Sequence, residues 1–470
     1  MGDAEIGLIG LGTMGAMLSL NIAEKGFRIA VYNRTAEKTR AFMGEAGALA
    51  DHIVPTETLE ELVAALKPPR AVILMVPAGA AVDEQIEALR PLLGAEDMII
   101  DAGNANFRDT NRRAAAAEAN GVPYLGIGVS GGEEGARHGP SIMGGGQAQA
   151  WDRVAPILTA IAATYEGQPC ATLMGPAGAG HFVKAVHNGI EYADMQMIAE
   201  VYGILRDGHD ETAGTIAARF EAWNTGRLQS YLIEIAGKVA AANDPRTGAA
   251  ILDVILDKAG QKGTGRWTVI EAQHLGAPVP VIEAAVAARN LSALKDVRTT
   301  GEALFGAAPR SLAEPFTDDE LESALIAGKV MCYAQGFELL RLAGVAFDWD
   351  LPMPEIAEVW REGCIIRSAM LNDMSAALRD DPARNLMFAP FFAGLIQGHE
   401  PALRKVVTVS LTHGLPVPAL ANGLLYFDMV RTGRSTANMI QGLRDFFGAH
   451  GFERIDAEGA HHGPWGSGRG

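Results

Sequence analysis

Ile6-Gly-Leu-Ile-Gly10-Leu11-Gly12-Thr13-Met14-Gly15 is the stretch that decides the fold of this chain. Four strand-like residues run into a Gly-x-Gly-x-x-Gly turn, and the turn opens a helical pattern. Alone, such a turn is a weak signal. Between a strand and a helix it reads as the first crossover of a dinucleotide-binding domain: the glycines permit a tight turn and close backbone approach, and the helix N-terminus faces a pyrophosphate. The competing reading is a glycine-rich connection with no ligand. The rhythm beyond it favours the first. β-rich runs recur at Arg28–Tyr32, Ala71–Val76, Met98–Asp101 and Val122–Leu125, with a last one near Ala171–Met174, and amphipathic stretches such as Ala81–Leu93 lie between them. This alternation predicts a Rossmann-type α/β domain over residues 1–177, built on a mostly parallel, doubly wound sheet.

The carboxyl ends of these strands are where such sheets bind ligands. The second strand ends in Asn33-Arg34-Thr35, where a cofactor with a free ribose 2′-hydroxyl is usually met by an acidic residue. Arg34 instead suits a 2′-phosphate through charge-assisted contacts, which favours NADP over NAD. Otherwise Arg34 is an exposed turn residue. The fourth of these runs leads into Asp101-Ala-Gly103-Asn104, where Asn104 could touch both nicotinamide and substrate; an Asn-rich turn would look the same.

After about Pro176 strand-like alternation fades. Ala-, Leu- and Met-rich helical patterns follow at His187–Leu205, Val281–Leu294, Glu320–Leu342 and Pro401–His413, predicting an all-helical domain over residues 178–434. A faint echo links Lys184–Ala199 with Lys329–Leu342. Residues 435–470 differ again, with one helix (Ala437–Phe447) and a Gly- and His-rich end. Residues 456–470 have too few apolar groups for a core of their own, so they are expected to fray or to pack on another subunit.

Composition sets outer bounds. The 470 residues are 48% hydrophobic and 20% charged, ordinary for a globular chain of two or three domains. A net charge of −17 argues against a nucleic-acid or anionic-membrane partner. Cys170, Cys332 and Cys364 show neither metal-ligand spacing nor a disulfide framework, which suits a reducing cytoplasm. The acidic N-terminus does not read as a signal peptide. No apolar run approaches the roughly 20 residues of a membrane span.

Gly180-His-Phe-Val-Lys184-Ala-Val-His187-Asn188-Gly-Ile-Glu191-Tyr192 carries the chemistry. In a helix, Lys184, His187, Asn188 and Glu191 fall at i, i+3, i+4 and i+7, which stacks an amine, an imidazole, an amide and a carboxyl on one face. Such a face could abstract a proton at one end of a small substrate and deliver one at the other. A solvated helix face is the plain alternative, weakened by the glycine-rich loop that delivers the helix and by the dinucleotide pattern upstream. Two further loops offer anion contacts. In Ser130-Gly131-Gly132-Glu-Glu-Gly135, backbone N–H groups and Ser130 could hold a carboxylate. In Gln261-Lys262-Gly-Thr264-Gly-Arg266, Lys262 and Thr264 fit a phosphate. Arg289, Arg444 and His450 are further cationic candidates.

Taken together, these motifs resemble the 6-phosphogluconate dehydrogenases, the decarboxylating enzymes of the pentose phosphate pathway, in their long form. The resemblance spans essentially the whole chain and includes Gly10–Gly15, Asn33–Thr35, Ser130–Arg137, Gly180–Tyr192, Gln261–Trp267, Gly363-Cys-Ile-Ile-Arg-Ser368 and Arg444-Asp-Phe-Phe-Gly-Ala-His450. It implies a homodimer whose C-terminal tail threads into the partner subunit. It implies Lys184 as general base and Glu191 as general acid, with Asn188 beside them. It further implies that 6-phosphogluconate is held by Asn104, Ser130, Gly131, Gly132, His187, Asn188, Tyr192, Lys262, Thr264 and Arg289, with Arg444 and His450 reaching the other subunit's site. The cofactor is expected along Gly10–Gly15, Asn33–Thr35, Val76, Pro77, Ala78 and Asn104. Three departures stand out: Gly12 where NADP-dependent members usually carry Ala, which admits NAD more easily; Pro77 where the long form usually has a lysine; and Ala102 where Gly is typical.

Two rival functions remain at this stage. A related β-hydroxyacid dehydrogenase on a non-phosphorylated substrate would not need the Lys262 loop, Arg289 or the Arg444–His450 tail. A non-enzymatic NADP-binding regulator would be expected to lose Lys184 or Glu191, and both are present.

Overall fold

The computed structural model describes residues 2–465; residues 466–470 of the expected tail lie outside it. Its first layer is a six-stranded, all-parallel sheet of β1 (Ile6–Ile9), β2 (Ile29–Tyr32), β3 (Ile53–Thr56), β4 (Ala71–Leu74), β5 (Met98–Asp101) and β6 (Tyr124–Gly126), in the order β3-β2-β1-β4-β5-β6. The connecting helices are α1 (Thr13–Glu24), α2 (Ala36–Glu45), α3 (Leu59–Ala65), α4 (Ala80–Leu89) and α5 (Phe107–Ala119). Both faces of the sheet are covered, which explains why its strands read as near-continuous apolar runs. Ile6, Leu8, Val31, Ile73 and Ile100 pack on one side with Leu18 and Ile22 of α1. Ile9, Ala30, Val72, Leu74 and Ile99 pack on the other with Leu62, Val82 and Leu89. The sequence pattern did not show β3. Its Pro55 cannot donate to a ladder, and the strand tolerates it because it is the sheet edge.

A second, three-stranded sheet follows, formed by β7 (Gly128–Val129), β8 (Ile142–Gly145) and β11 (Ala171–Gly175), with the short hairpin β9 (Thr164–Tyr165) and β10 (Gln168–Pro169) before β11. The last strand expected near Ala171–Met174 therefore belongs to this sheet, parallel to β8. Between the strands lie α6 (Gly132–His138) and α7 (Ala148–Ile161), and from β11 the chain enters α8 (Ala179–Gly203).

From α8 to helix Ala437–Gly448 the chain is helical, as the Ala-, Leu- and Met-rich patterns predict. The 30-residue helix Asp318–Phe347 starts at a capping box between Thr317 and Glu320. By length and composition it would pass for a membrane span, against the expectation of no such run. Its apolar window is 61% buried, and Lys329 at its centre donates to Asp194 of α8 at 2.6 Å, with both side chains enclosed. It is a core helix, and the two segments that echo each other in sequence meet at this ion pair.

Residues divide into two compact units, Met1–Gly423 and Leu424–Gly470. The second has its own polar scaffold. Asp445, fully buried on helix Ala437–Gly448, accepts hydrogen bonds from the backbone N–H of Gly451 (2.9 Å) and Gly463 (2.8 Å), Trp465 Nε1 (2.6 Å) and the ring of His462 (2.6 Å). Strands Phe452–Glu453 and Ala460–His461 pair antiparallel between these contacts. Residues 437–465 are thus ordered around a carboxylate rather than an apolar core.

Candidate active site

The site begins with how α8 enters the sheet. Gly128 of β7 faces Lys184 so closely that a Cβ there would lie 2.4 Å from the Lys184 Cβ. Only glycine allows this approach, and it seats the lysine stem against the strand. The amine then reaches Ser130 Oγ at 2.8 Å and lies 3.5 Å from His187 Nδ1. His187 Nδ1 is 2.9 Å from Asn188 Oδ1, which assigns its proton to Nδ1 and leaves Nε2, 3.4 Å from Ser130 Oγ, as acceptor. Asn188 Nδ2 donates to Thr264 Oγ1 at 2.7 Å. Glu191, one turn on, is 3.9 Å from the His187 ring, beyond hydrogen-bond range.

Burial displaces the titration of all three ionisable groups. It pushes Lys184 below the ordinary lysine range, opposed by the Glu191 charge. It raises the Glu191 carboxyl, opposed by Lys184 and Arg289. His187 falls well below its usual value, first from burial and then from Lys184 beside it. A lysine eased toward neutrality and a carboxyl eased toward its acid form are the states a general base and a general acid need.

Ser130 is buried, and Gly131 and Gly132, both with positive φ, start α6. The Arg289 guanidinium lies 3.7 Å from the centre of the Tyr192 ring. Thr264 is the first residue of helix Thr264–Leu275, and Lys262 is exposed just before it. Arg444 and His450 are exposed on the second unit, where Arg444 donates to Gln441 at 2.8 Å.

One neighbour was missed by sequence reading. Trp360, fully buried, meets the His187 ring edge-on at 5.8 Å. Its loop continues through the quoted Gly363–Ser368 motif, where Gly363 O accepts from Ser141 N (2.8 Å) and Ile366 O from the Tyr333 hydroxyl (2.9 Å). The loop braces the Ser130 segment. No local signal marks Trp360, because only the tertiary fold brings it to His187.

The cofactor residues fit a dinucleotide. Gly10 has φ +105°, and a Cβ there would sit 2.4 Å from Met75 O. Leu11 N donates to Asn33 Oδ1 at 3.0 Å, and Asn33 Nδ2 to Thr35 O at 3.1 Å, so Asn33 ties the glycine turn to the end of β2. The N-cap of α1 is Gly12, which has no side chain to bond the first turn, and this leaves its N–H groups for a phosphate. A Cβ at Gly12 would meet nothing, so packing does not demand glycine there. Thr13 starts α1, followed by Met14 and Gly15; Arg34, Thr35, Pro77, Ala78 and Asn104 are exposed and Val76 half-buried.

A dinucleotide turn at the head of a parallel sheet, followed by a helix that sets a buried amine and a carboxyl on one face, fits a nicotinamide-dependent dehydrogenase. Comparison with known proteins narrows the class. Residues 5–175 match the family model described as the NAD binding domain of 6-phosphogluconate dehydrogenase, and residues 180–465 match its C-terminal domain. The chain is 47% identical to a decarboxylating 6-phosphogluconate dehydrogenase of Bacillus licheniformis, over 98% of this chain and 99% of that one. It is 44% identical to an NAD(+)-dependent decarboxylating relative from Bacillus subtilis, over 98% and 99%. The structure of the Plasmodium falciparum 6-phosphogluconate dehydrogenase, determined apo, with its cofactor NADP+ and with its substrate 6-phosphogluconate, is similar with a TM-score of 0.95 at 41% identity, covering 98% of this chain and 100% of that chain. The chain belongs to the 6-phosphogluconate dehydrogenase family.

Proposed function

We propose that this chain oxidises 6-phosphogluconate and releases CO2 and ribulose 5-phosphate. The observation that carries this reading is the α8 face itself, where the Lys184 amine, 2.8 Å from Ser130 and eased toward neutrality, shares one buried cluster with a Glu191 carboxyl shifted the opposite way. The bound nicotinamide supplies the acceptor for the C3 hydride. Lys184 takes the proton of the 3-hydroxyl as C3 becomes a ketone. The β-keto acid then loses its carboxylate as CO2, the bonding pair moving into a C2–C3 enediolate. Lys184, now an ammonium, stabilises the developing oxyanion and returns its proton to it. Glu191 protonates the carbon that becomes C1 of ribulose 5-phosphate while Lys184 takes back the proton of the enediol hydroxyl, so that the C2 ketone forms and Lys184 ends as the ammonium. Asn188, fixed by Thr264, and His187, fixed by Asn188, present oriented polar groups to the substrate.

Arg34 supports a preference for NADP. Gly12 and Pro77, with an NAD(+)-dependent relative in the family, keep NAD within reach. We read residues 1–177 as the cofactor domain, 178–434 as the helical substrate domain and 435–470 as a tail that completes the partner's site through Arg444 and His450. The second unit supports this homodimer: Met439, Ile440, Leu443, Phe446, Phe447 and Ile455 are all more than half exposed, more apolar surface than one short unit leaves to water without a partner. A cytoplasmic setting fits the three free, buried cysteines. The test is cofactor reduction followed by absorbance with 6-phosphogluconate and either NADP or NAD, with CO2 measured alongside. Cofactor reduction without CO2 would point to a simple hydroxyacid dehydrogenase.

A further inference from the structure

One ion pair joins the cofactor half of the site to the substrate half. Arg108, on the first turn of α5, donates from Nε to Glu271 Oε1 at 2.7 Å and from Nη2 to Oε2 at 2.6 Å. The fork-on-carboxylate geometry fixes orientation as well as distance. Glu271 is buried, with its side chain 5% exposed, and the His274 ring lies 3.4 Å away.

Each partner sits on a lever into the site. Arg108 follows the Asn104 turn by four residues; its backbone N–H binds Asn106, which caps α5, and its neighbour Phe107 packs edge-on against Phe182 of α8 at 5.0 Å. Glu271 shares a face of its helix with Thr268 and Thr264, at i−3 and i−7. Thr268 Oγ1 donates to Ala185 O at 2.6 Å, and Thr264 holds Asn188.

We propose that Arg108 and Glu271 are a pair of positioning residues, a clasp that fixes the Asn104 turn at the nicotinamide end relative to Thr264 and Asn188 at the substrate end. The clasp thereby sets the separation across which C3 gives up its hydride. This rests on the functional reading above.

The test compares the wild-type holoenzyme with Arg108→Met, Glu271→Gln and the double variant, in which neither charge is left unpaired. Each is assayed for NADP and 6-phosphogluconate affinity by fluorescence titration, for kcat, for the deuterium isotope effect from 3-deutero-6-phosphogluconate, and for amide exchange at residues 103–112 and 262–275. A clasp lowers kcat by about tenfold or more through misplacement of the reacting atoms, with both affinities nearly unchanged. The isotope effect rises, amide exchange increases in both segments together, and the double variant is no worse than either single, as expected of a coupled pair. Arg108→Lys recovers part of kcat. Variants that melt earlier yet keep wild-type kcat and isotope effect overturn the clasp, as does a loss confined to one ligand's affinity. Wild-type enzyme that fails to oxidise 6-phosphogluconate overturns the functional reading instead.

Discussion

Replacing Lys184 by methionine keeps the stem as far as Cε, with its contact to Gly128, and removes the amine. The effect on folding is the difference of two terms. The bond to Ser130 is worth about 0.5–1.5 kcal/mol net. Against it stands the cost of enclosing a group that prefers its charged form in water, the cost that displaces its pKa. The two offset, so stability should change by no more than about 1 kcal/mol. The effect on the reaction has no such offset. A positioned general base contributes about 10²–10⁴-fold, or roughly 2.7–5.4 kcal/mol of barrier. The assay is single-turnover reduction of NADP with saturating 6-phosphogluconate, beside a melting curve and an NADP titration. The expected result is oxidation slowed at least about a hundredfold, with melting and NADP affinity close to wild type. Turnover near the wild-type rate would refute the role of Lys184. A slow enzyme that has also lost NADP affinity would place the amine on the cofactor rather than on the 3-hydroxyl.

Further outcomes follow from the same geometry. In Glu191→Gln the carboxylate that counters the burial of Lys184 is gone, so the lysine binds its proton still less tightly and the acid limb of the oxidation rate moves to lower pH; a limb that stays or moves up contradicts the coupling. The same variant should slow proton incorporation at C1 of the product, read by solvent deuterium. Arg34→Ala should lose one charge-assisted phosphate contact, about 1.5–3 kcal/mol or roughly ten- to hundredfold in NADP affinity, with NAD affinity changed much less; equal losses would mean that Arg34 does not read the 2′-phosphate. Mixing Lys184→Met chains with Arg444→Ala chains should restore activity, because a shared site gathers both lesions in one place and frees the other; no recovery after confirmed subunit exchange rejects the shared site.

What the sequence showed was what is periodic or local. The glycine turn announced the parallel sheet because a tight turn and a phosphate both need it, and Lys184, His187, Asn188 and Glu191 were legible because i, i+3, i+4 and i+7 are neighbours on any helix. Features made by distant partners were not legible. Pro55 disguised an edge strand that needs no donor on its open side. Trp360 touches His187 from 173 positions away. Asp445 looks like an ordinary helix carboxylate until Gly451, His462, Gly463 and Trp465 close around it. Arg108 and Glu271 stand 163 positions apart, and no local pattern marks their pairing or the enclosure of Glu271.

The approach of Gly128 and Ser130 to Lys184 bears on how this enzyme could be rebuilt. The two family models meet between residues 175 and 180, an inviting splice point for exchanging one cofactor domain for another. The bond from Lys184 to Ser130 crosses that splice. A grafted domain with any side chain at the Gly128 position would push Lys184 off its seat, and one without the Ser130 hydroxyl would leave the amine unguided. The workable unit of exchange is therefore smaller than the domain: the dinucleotide turn and the ends of β2 and β4 can travel, while β7, the loop after it and α8 must be inherited together.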